Sequence, residues 1–121
     1  SWGGIWTSII PAIEERLKAA IMVVSGFAGC PTIEDMDKYK VSEFDQINFV
    51  KRVKIPVLML SGKYDVFYSY EFTVRPMFEL LGTPPSDKKL MVYETDHFVP
   101  YKDLVKETLD WLDKYLGPVN R

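Results

Sequence analysis

Ile55-Pro56-Val57-Leu58-Met59-Leu60 runs directly into Ser61-Gly62-Lys63-Tyr64-Asp65. A continuous apolar run broken only by its proline is the pattern of a strand buried on both faces, and the Ser-Gly pair stops it just before an acid. Leu90-Met91-Val92-Tyr93-Glu94 repeats the pattern downstream, with His97 shortly beyond its end. Upstream, Ala19-Ala20-Ile21-Met22-Val23-Val24 is a third short apolar run, ended by Ser25-Gly26. Helical periods lie around these strands. Alternation of this kind predicts right-handed crossovers and a parallel sheet covered on both faces.

Ile5, Ile9, Ile10, Ile13 and Leu17 form a helical stripe that predicts a helix over 5–17, kinked near Pro11 because proline removes an interior hydrogen bond. Residues 27–41 show no clear period and read as a long irregular connection of the sort that forms lids or binding surfaces. A short helix is expected around Phe49 and Val50. Phe72, Met77, Phe78, Leu80 and Leu81 predict a helix over 71–81 that breaks or restarts at Pro76, with Gly82 just past its end. Residues 83–89 read as a surface turn. Leu104, Val105, Leu109, Leu112 and Leu116 predict the last helix over 102–116, stopped by Gly117-Pro118.

Composition narrows the function classes. The chain has 121 residues, 47% of them apolar and 14% aromatic, which suffices for one packed domain. A formal charge of -2 disfavours nucleic-acid binding, which needs a basic patch to displace counterions. No apolar run approaches the ~20 residues of a membrane helix. Cys30 is the single cysteine, so neither an intrachain disulfide nor a Cys/His zinc set is expected, and a reducing, cytoplasmic compartment is compatible. No metal or organic cofactor is implied.

The residues with chemistry are Ser1, Asp65 and His97. A serine hydroxyl becomes a competent nucleophile when a base takes its proton, and the base needs an acid to fix its tautomer. Ser1-Trp2-Gly3-Gly4 opens the chain, and Gly3 leaves room for a sharp strand-to-helix turn. The Trp2 N–H would point with the helix start toward a developing oxyanion. Ser, Asp, His is also the chain order of nucleophile, acid and base in the α/β-hydrolase fold, and ligands of parallel sheets gather at the carboxyl ends of strands. Each residue alone has a plainer reading: a cut loop for Ser1, a turn former for Asp65, a structural or exposed side chain for His97. Asp96 adjoins His97 and is poorly placed to reach its ring; Asp35, Asp37 and Asp45 lack a strand before them. Phe67, Tyr68 and Tyr70 could line an acyl or leaving-group pocket, although core packing explains such clusters equally well.

Ser-Trp-Gly-Gly at 1–4, Ile47-Asn48-Phe49-Val50, Pro56 to Leu60, Gly62-Lys63-Tyr64-Asp65, Pro76-Met77-Phe78, Leu80 to Pro84 and His97-Phe98-Val99-Pro100 together resemble the C-terminal half of α/β-hydrolases of the dienelactone hydrolase and acetyl xylan esterase type. The likeness is greatest to the esterase-like domain fused behind bacterial serine/threonine protein kinases. That resemblance implies Ser1 as nucleophile, Asp65 as triad acid, His97 as general base and Trp2 at the oxyanion position. Asp96 departs from it, standing where glycine is usual.

The expectation is therefore an α/β fold, residues 1–121 forming the C-terminal portion of a single α/β-hydrolase domain whose N-terminal half is absent, with about three parallel strands flanked by helices. The expected activity is hydrolysis of a small-molecule acyl ester through a Ser1-Asp65-His97 triad and an acyl-enzyme, with this fragment inactive alone. The alternative is a non-catalytic interaction module, a homodimer or a partner for another chain, that pairs an open sheet edge. An N-terminal-nucleophile hydrolase using the Ser1 amine would leave Asp65 and His97 without a role.

Overall fold

The structure, a computed structural model, describes residues 1–28 and 45–118. Cys30, Asp35, Asp37 and most of the expected 27–41 connection lie outside the described residues. Three strands, β1 (Ala20–Val23), β2 (Val57–Gly62) and β3 (Lys88–Tyr93), form a parallel sheet in the order β1-β2-β3. In register, Val57 faces Ala20 on one side and Lys88 on the other. Around the sheet stand α1 (Trp2–Thr7), α2 (Ile47–Val50), α3 (Arg75–Leu80) and α4 (Tyr101–Leu116).

Every residue of β2 is buried, as the unbroken apolar run requires of a central parallel strand. Alternate side chains point to opposite faces. Val57 and Met59 join Met22, Val50, Val53, Val74, Met77 and Leu81 in one core, while Leu58 and Leu60 join Val99 and Trp111 beneath α4 in the other. Lys88 ties β3 to the end of α3. Its ammonium donates to the Phe78, Glu79 and Leu81 carbonyls at 2.8, 3.3 and 3.2 Å, at a helix end where carbonyls lack intrahelical partners and the dipole favours a cation.

One local expectation needs correction. The helix expected over 5–17 stops at Thr7. Thr7 and Ser8 turn their hydroxyls back onto the Gly3 and Ile5 carbonyls, and Pro11 sits in a separate 3-10 turn over Ile10–Ala12. Gly82 stands just past the end of α3, as expected, following Leu81 at the C-cap. It is a point of close approach, where a β-carbon would run into the backbone of Lys51. The restart at Pro76 is observed: Tyr70–Val74 makes one wide turn, closed by the Val74 N–H to the Ser69 carbonyl at 3.1 Å, and α3 follows with its proline in the first turn.

Candidate active site

Asp65 lies three residues beyond the end of β2, and its side chain is only 1% exposed. A buried carboxylate is costly unless its lone pairs are used. Here the loop folds back on it: the Phe67 and Tyr68 N–H groups donate to Oδ1 at 2.8 and 3.1 Å. Oδ2 is left to face Nδ1 of His97 at 2.7 Å. A carboxylate only accepts, so the contact has Nδ1 as donor; in the neutral ring that puts the lone pair on Nε2, which has no hydrogen-bond partner among the described residues. The His97 side chain is 28% exposed, open enough for that nitrogen to meet a ligand.

His97 reaches Asp65 because the loop after β3 lies directly on the loop after β2. The Lys63 N–H donates to the Tyr93 carbonyl at 2.8 Å and the Tyr64 N–H to the Thr95 carbonyl at 2.9 Å. Gly62 makes the approach feasible, because a β-carbon there would collide with the Asp96 and Thr95 carbonyls. Thr95 closes the turn by donating its hydroxyl to the Phe98 carbonyl at 2.7 Å. The imidazole is then flanked by two aromatic rings, Phe67 edge-on at 4.9 Å and Tyr68 stacked at 5.9 Å. Two of the three aromatics noted after Asp65 thus touch the histidine rather than only the core.

Ser1 stands at the N-cap position of α1, its side chain making no capping hydrogen bond, and is exposed. Its ammonium donates to the carbonyl of Val23, the last residue of β1, at 2.6 Å. Burial pulls this amine below its usual value of 8.0, against an opposing pull from the Asp65 carboxylate. Because β1 runs parallel to β2 with Val23 opposite Leu60, the contact puts the serine on the same rim of the sheet as Asp65. The structure brings Asp65 and His97 together; the Ser1 hydroxyl makes no hydrogen bond to His97. The next residue, Val24, has φ 44, a left-handed conformation that is strained for a β-branched side chain. Gly4 packs against Ser25 so closely that a β-carbon would overlap its side chain, which seats the start of α1 on the end of β1. Trp2 is 73% exposed, and as the first helical residue its N–H has no intrahelical acceptor.

Sequence reasoning missed the supporting residues. The backbone donors at Phe67 and Tyr68, the clearance at Gly62 and the side chain of Gln46 carry no periodic signal. Gln46 is buried and joins α1 to the segment after β1: its amide donates to the Ser8 hydroxyl at 2.7 Å and the Gly26 carbonyl at 3.3 Å, and its oxygen accepts from the Ala28 N–H at 2.8 Å. Gly62, closing β2 three residues before Asp65, was the one usable hint. Among the described residues no group of three or more His, Cys, Asp or Glu could hold a metal, and no helix is long and apolar enough to cross a membrane.

No family model matches the chain, and no curated protein matches it. Solved structures do. A cold-adapted esterase from an Arctic intertidal metagenomic library superposes with a TM-score of 0.72 at 25% identity, over 96% of this chain and 46% of the esterase. A Klebsiella pneumoniae protein assigned as a dienelactone hydrolase gives 0.66 at 24% identity, over 94% of this chain and 49% of the other. A Thermus thermophilus protein gives 0.74 at 17% identity, over 98% and 52% respectively. The chain thus spans about half the length of these proteins. Its three-stranded parallel sheet with flanking helices is part of an α/β-hydrolase fold.

Proposed function

We propose that this chain carries the nucleophile, acid and base of a serine hydrolase acting on a small-molecule acyl ester, and that turnover needs the remainder of the fold found in the longer esterases. The observation that supports it most is the buried Asp65, its Oδ1 filled by two backbone donors and its Oδ2 committed to His97 at 2.7 Å. In this reading Nε2 of His97 takes the proton from the Ser1 hydroxyl as its oxygen attacks the ester carbonyl. Asp65 stabilises the imidazolium that forms, and the Trp2 N–H donates to the carbonyl oxygen as it gains charge. Collapse of the tetrahedral adduct breaks the ester C–O bond, and His97 hands its proton to the departing alkoxide. Water then attacks the acyl-Ser1 ester with His97 again as base, releasing the acid and restoring the serine. A second oxyanion donor would come from a part of the fold that this chain does not span. The likeness to the esterase-like domain fused behind bacterial serine/threonine kinases fits the same chemistry.

The test is turnover of p-nitrophenyl acetate against a Ser1→Ala control. No turnover above the control is expected of the chain alone; clear excess turnover would overturn the need for the missing part.

A second reading has its own support. The outer edge of β1 has no strand partner among the described residues, and Trp6, Ile10, Ile13 and Leu17 are exposed by 55, 42, 61 and 37%. An edge and apolar surface of that kind suit pairing with another chain. A monomer mass in size-exclusion chromatography with light scattering, at all concentrations, would count against self-pairing.

A further inference from the structure

We propose that Lys63, Tyr64 and Glu94 form a positioning clamp that locks the acid loop to the base loop and so holds His97 in its Nδ1–H tautomer. The inference rests on the reading of His97 as the base. Glu94 directly follows β3 and lies three residues before His97; Lys63 and Tyr64 immediately precede Asp65. One oxygen of the Glu94 carboxylate accepts from the Lys63 ammonium at 2.7 Å, and the other accepts from the Tyr64 phenol. Each loop thus contributes side chains to the same three-way contact. The backbone bonds beneath, from the Lys63 and Tyr64 N–H groups to Tyr93 and Thr95, set the loops in register but do not reach Asp96 or His97.

The charge states support the arrangement. Lys63 and Tyr64 both hold their protons more tightly than usual, chiefly through their hydrogen bonds to Glu94, and the Glu94 carboxyl loses its proton more readily, chiefly through Lys63 and then Tyr64. All three groups face solvent, so the clamp contributes little to global stability. Its effect is local: two loops joined just ahead of Asp65 and His97 cannot part there without breaking it. Which imidazole nitrogen holds the proton is set by the partner of the other, so loosening the loops frees the ring to exchange tautomers.

His97 is the only histidine, so ring ¹⁵N shifts and solvent exchange of the Nδ1 proton can be read by NMR without ambiguity. Tyr64→Phe removes one hydroxyl and no charge. It is expected to speed Nδ1–H exchange on the order of 3-fold, the size of one exposed contact, and to move the ring shifts toward mixed tautomers. Glu94→Ala should do the same or more, and adding Tyr64→Phe to it should change nothing further. Glu94→Gln, which keeps an acceptor for the phenol, should restore part of the protection and serves if the alanine variant unfolds. Unaltered exchange and ring shifts in Tyr64→Phe and Glu94→Gln would overturn the clamp, as would an effect of Glu94→Ala that Tyr64→Phe does not share. None of these readings requires Ser1 to react, so failure of the hydrolase proposal would be seen separately, as an inert Ser1 beside an intact clamp.

Discussion

Replacing Asp65 in two different ways separates what the carboxylate does for the fold from what it does for the histidine. The side chain is 1% exposed and accepts three hydrogen bonds, two from the Phe67 and Tyr68 N–H groups and one from His97. In Asp65→Ala the two backbone donors lose their acceptor in a partly or fully buried loop, at about 1–3 kcal/mol each, so a loss of roughly 2–6 kcal/mol is expected. In Asp65→Asn the amide oxygen can still accept from both N–H groups, and the fold should lose only about 1–2 kcal/mol. The asparagine nitrogen then faces Nδ1 as a donor, which forces the imidazole into its Nε2–H tautomer and removes the lone pair a nucleophile would need. Urea unfolding measures the first effect and ring ¹⁵N shifts the second. An alanine variant as stable as the asparagine variant would refute the assignment of the backbone donors, and unmoved ring shifts in Asp65→Asn would refute the pairing of Oδ2 with Nδ1.

Gly62→Ala should cost about 1–3 kcal/mol or more, because the new methyl meets rigid carbonyls of Asp96 and Thr95 rather than a flexible side chain, and NMR should show loss of Nδ1–H protection at His97. Leu58 and Leu60 are fully buried beneath α4, so either one changed to alanine should lower stability by about 2–5 kcal/mol in urea titrations. Glu107 accepts from Lys89 of β3 at 2.8 Å and from Lys106 at 3.2 Å, and these hydrogen bonds hold its carboxyl below its usual 4.5. A depressed folded value means the contribution is full above the unfolded value and is lost as pH falls through the folded one, so Glu107→Gln should flatten the acid limb of a stability-pH curve below about pH 4.5 and lower stability at neutral pH.

The sheet was legible because its strands are buried on both faces. β2 needs apolar side chains at every position from Val57 to Leu60, and no amphipathic helix produces such a run. The meeting of Asp65 with His97 was legible for a related reason, each following a strand by a few residues. The first helix was misjudged because Ile9, Ile10, Ile13 and Leu17 fall at helical spacing while the hydroxyls of Thr7 and Ser8, followed by Pro11, end the helix. A period in the apolar residues cannot register side chains that bond back to their own turn. The shell around the site was illegible for a different cause: Phe67 and Tyr68 act there through backbone N–H groups, and Glu94 through a partner thirty-one residues away at Lys63. Nothing local in the sequence marks either.

The central claim is that His97, held by Asp65, activates the Ser1 hydroxyl. Incubation with a fluorophosphonate followed by peptide mass spectrometry reads this directly, because phosphonylation needs an activated serine once and does not depend on turnover. The account predicts a single adduct on the Ser1 oxygen, absent in Ser1→Ala and strongly reduced in His97→Ala. An unmodified Ser1, or an adduct that forms equally fast without His97, would contradict it.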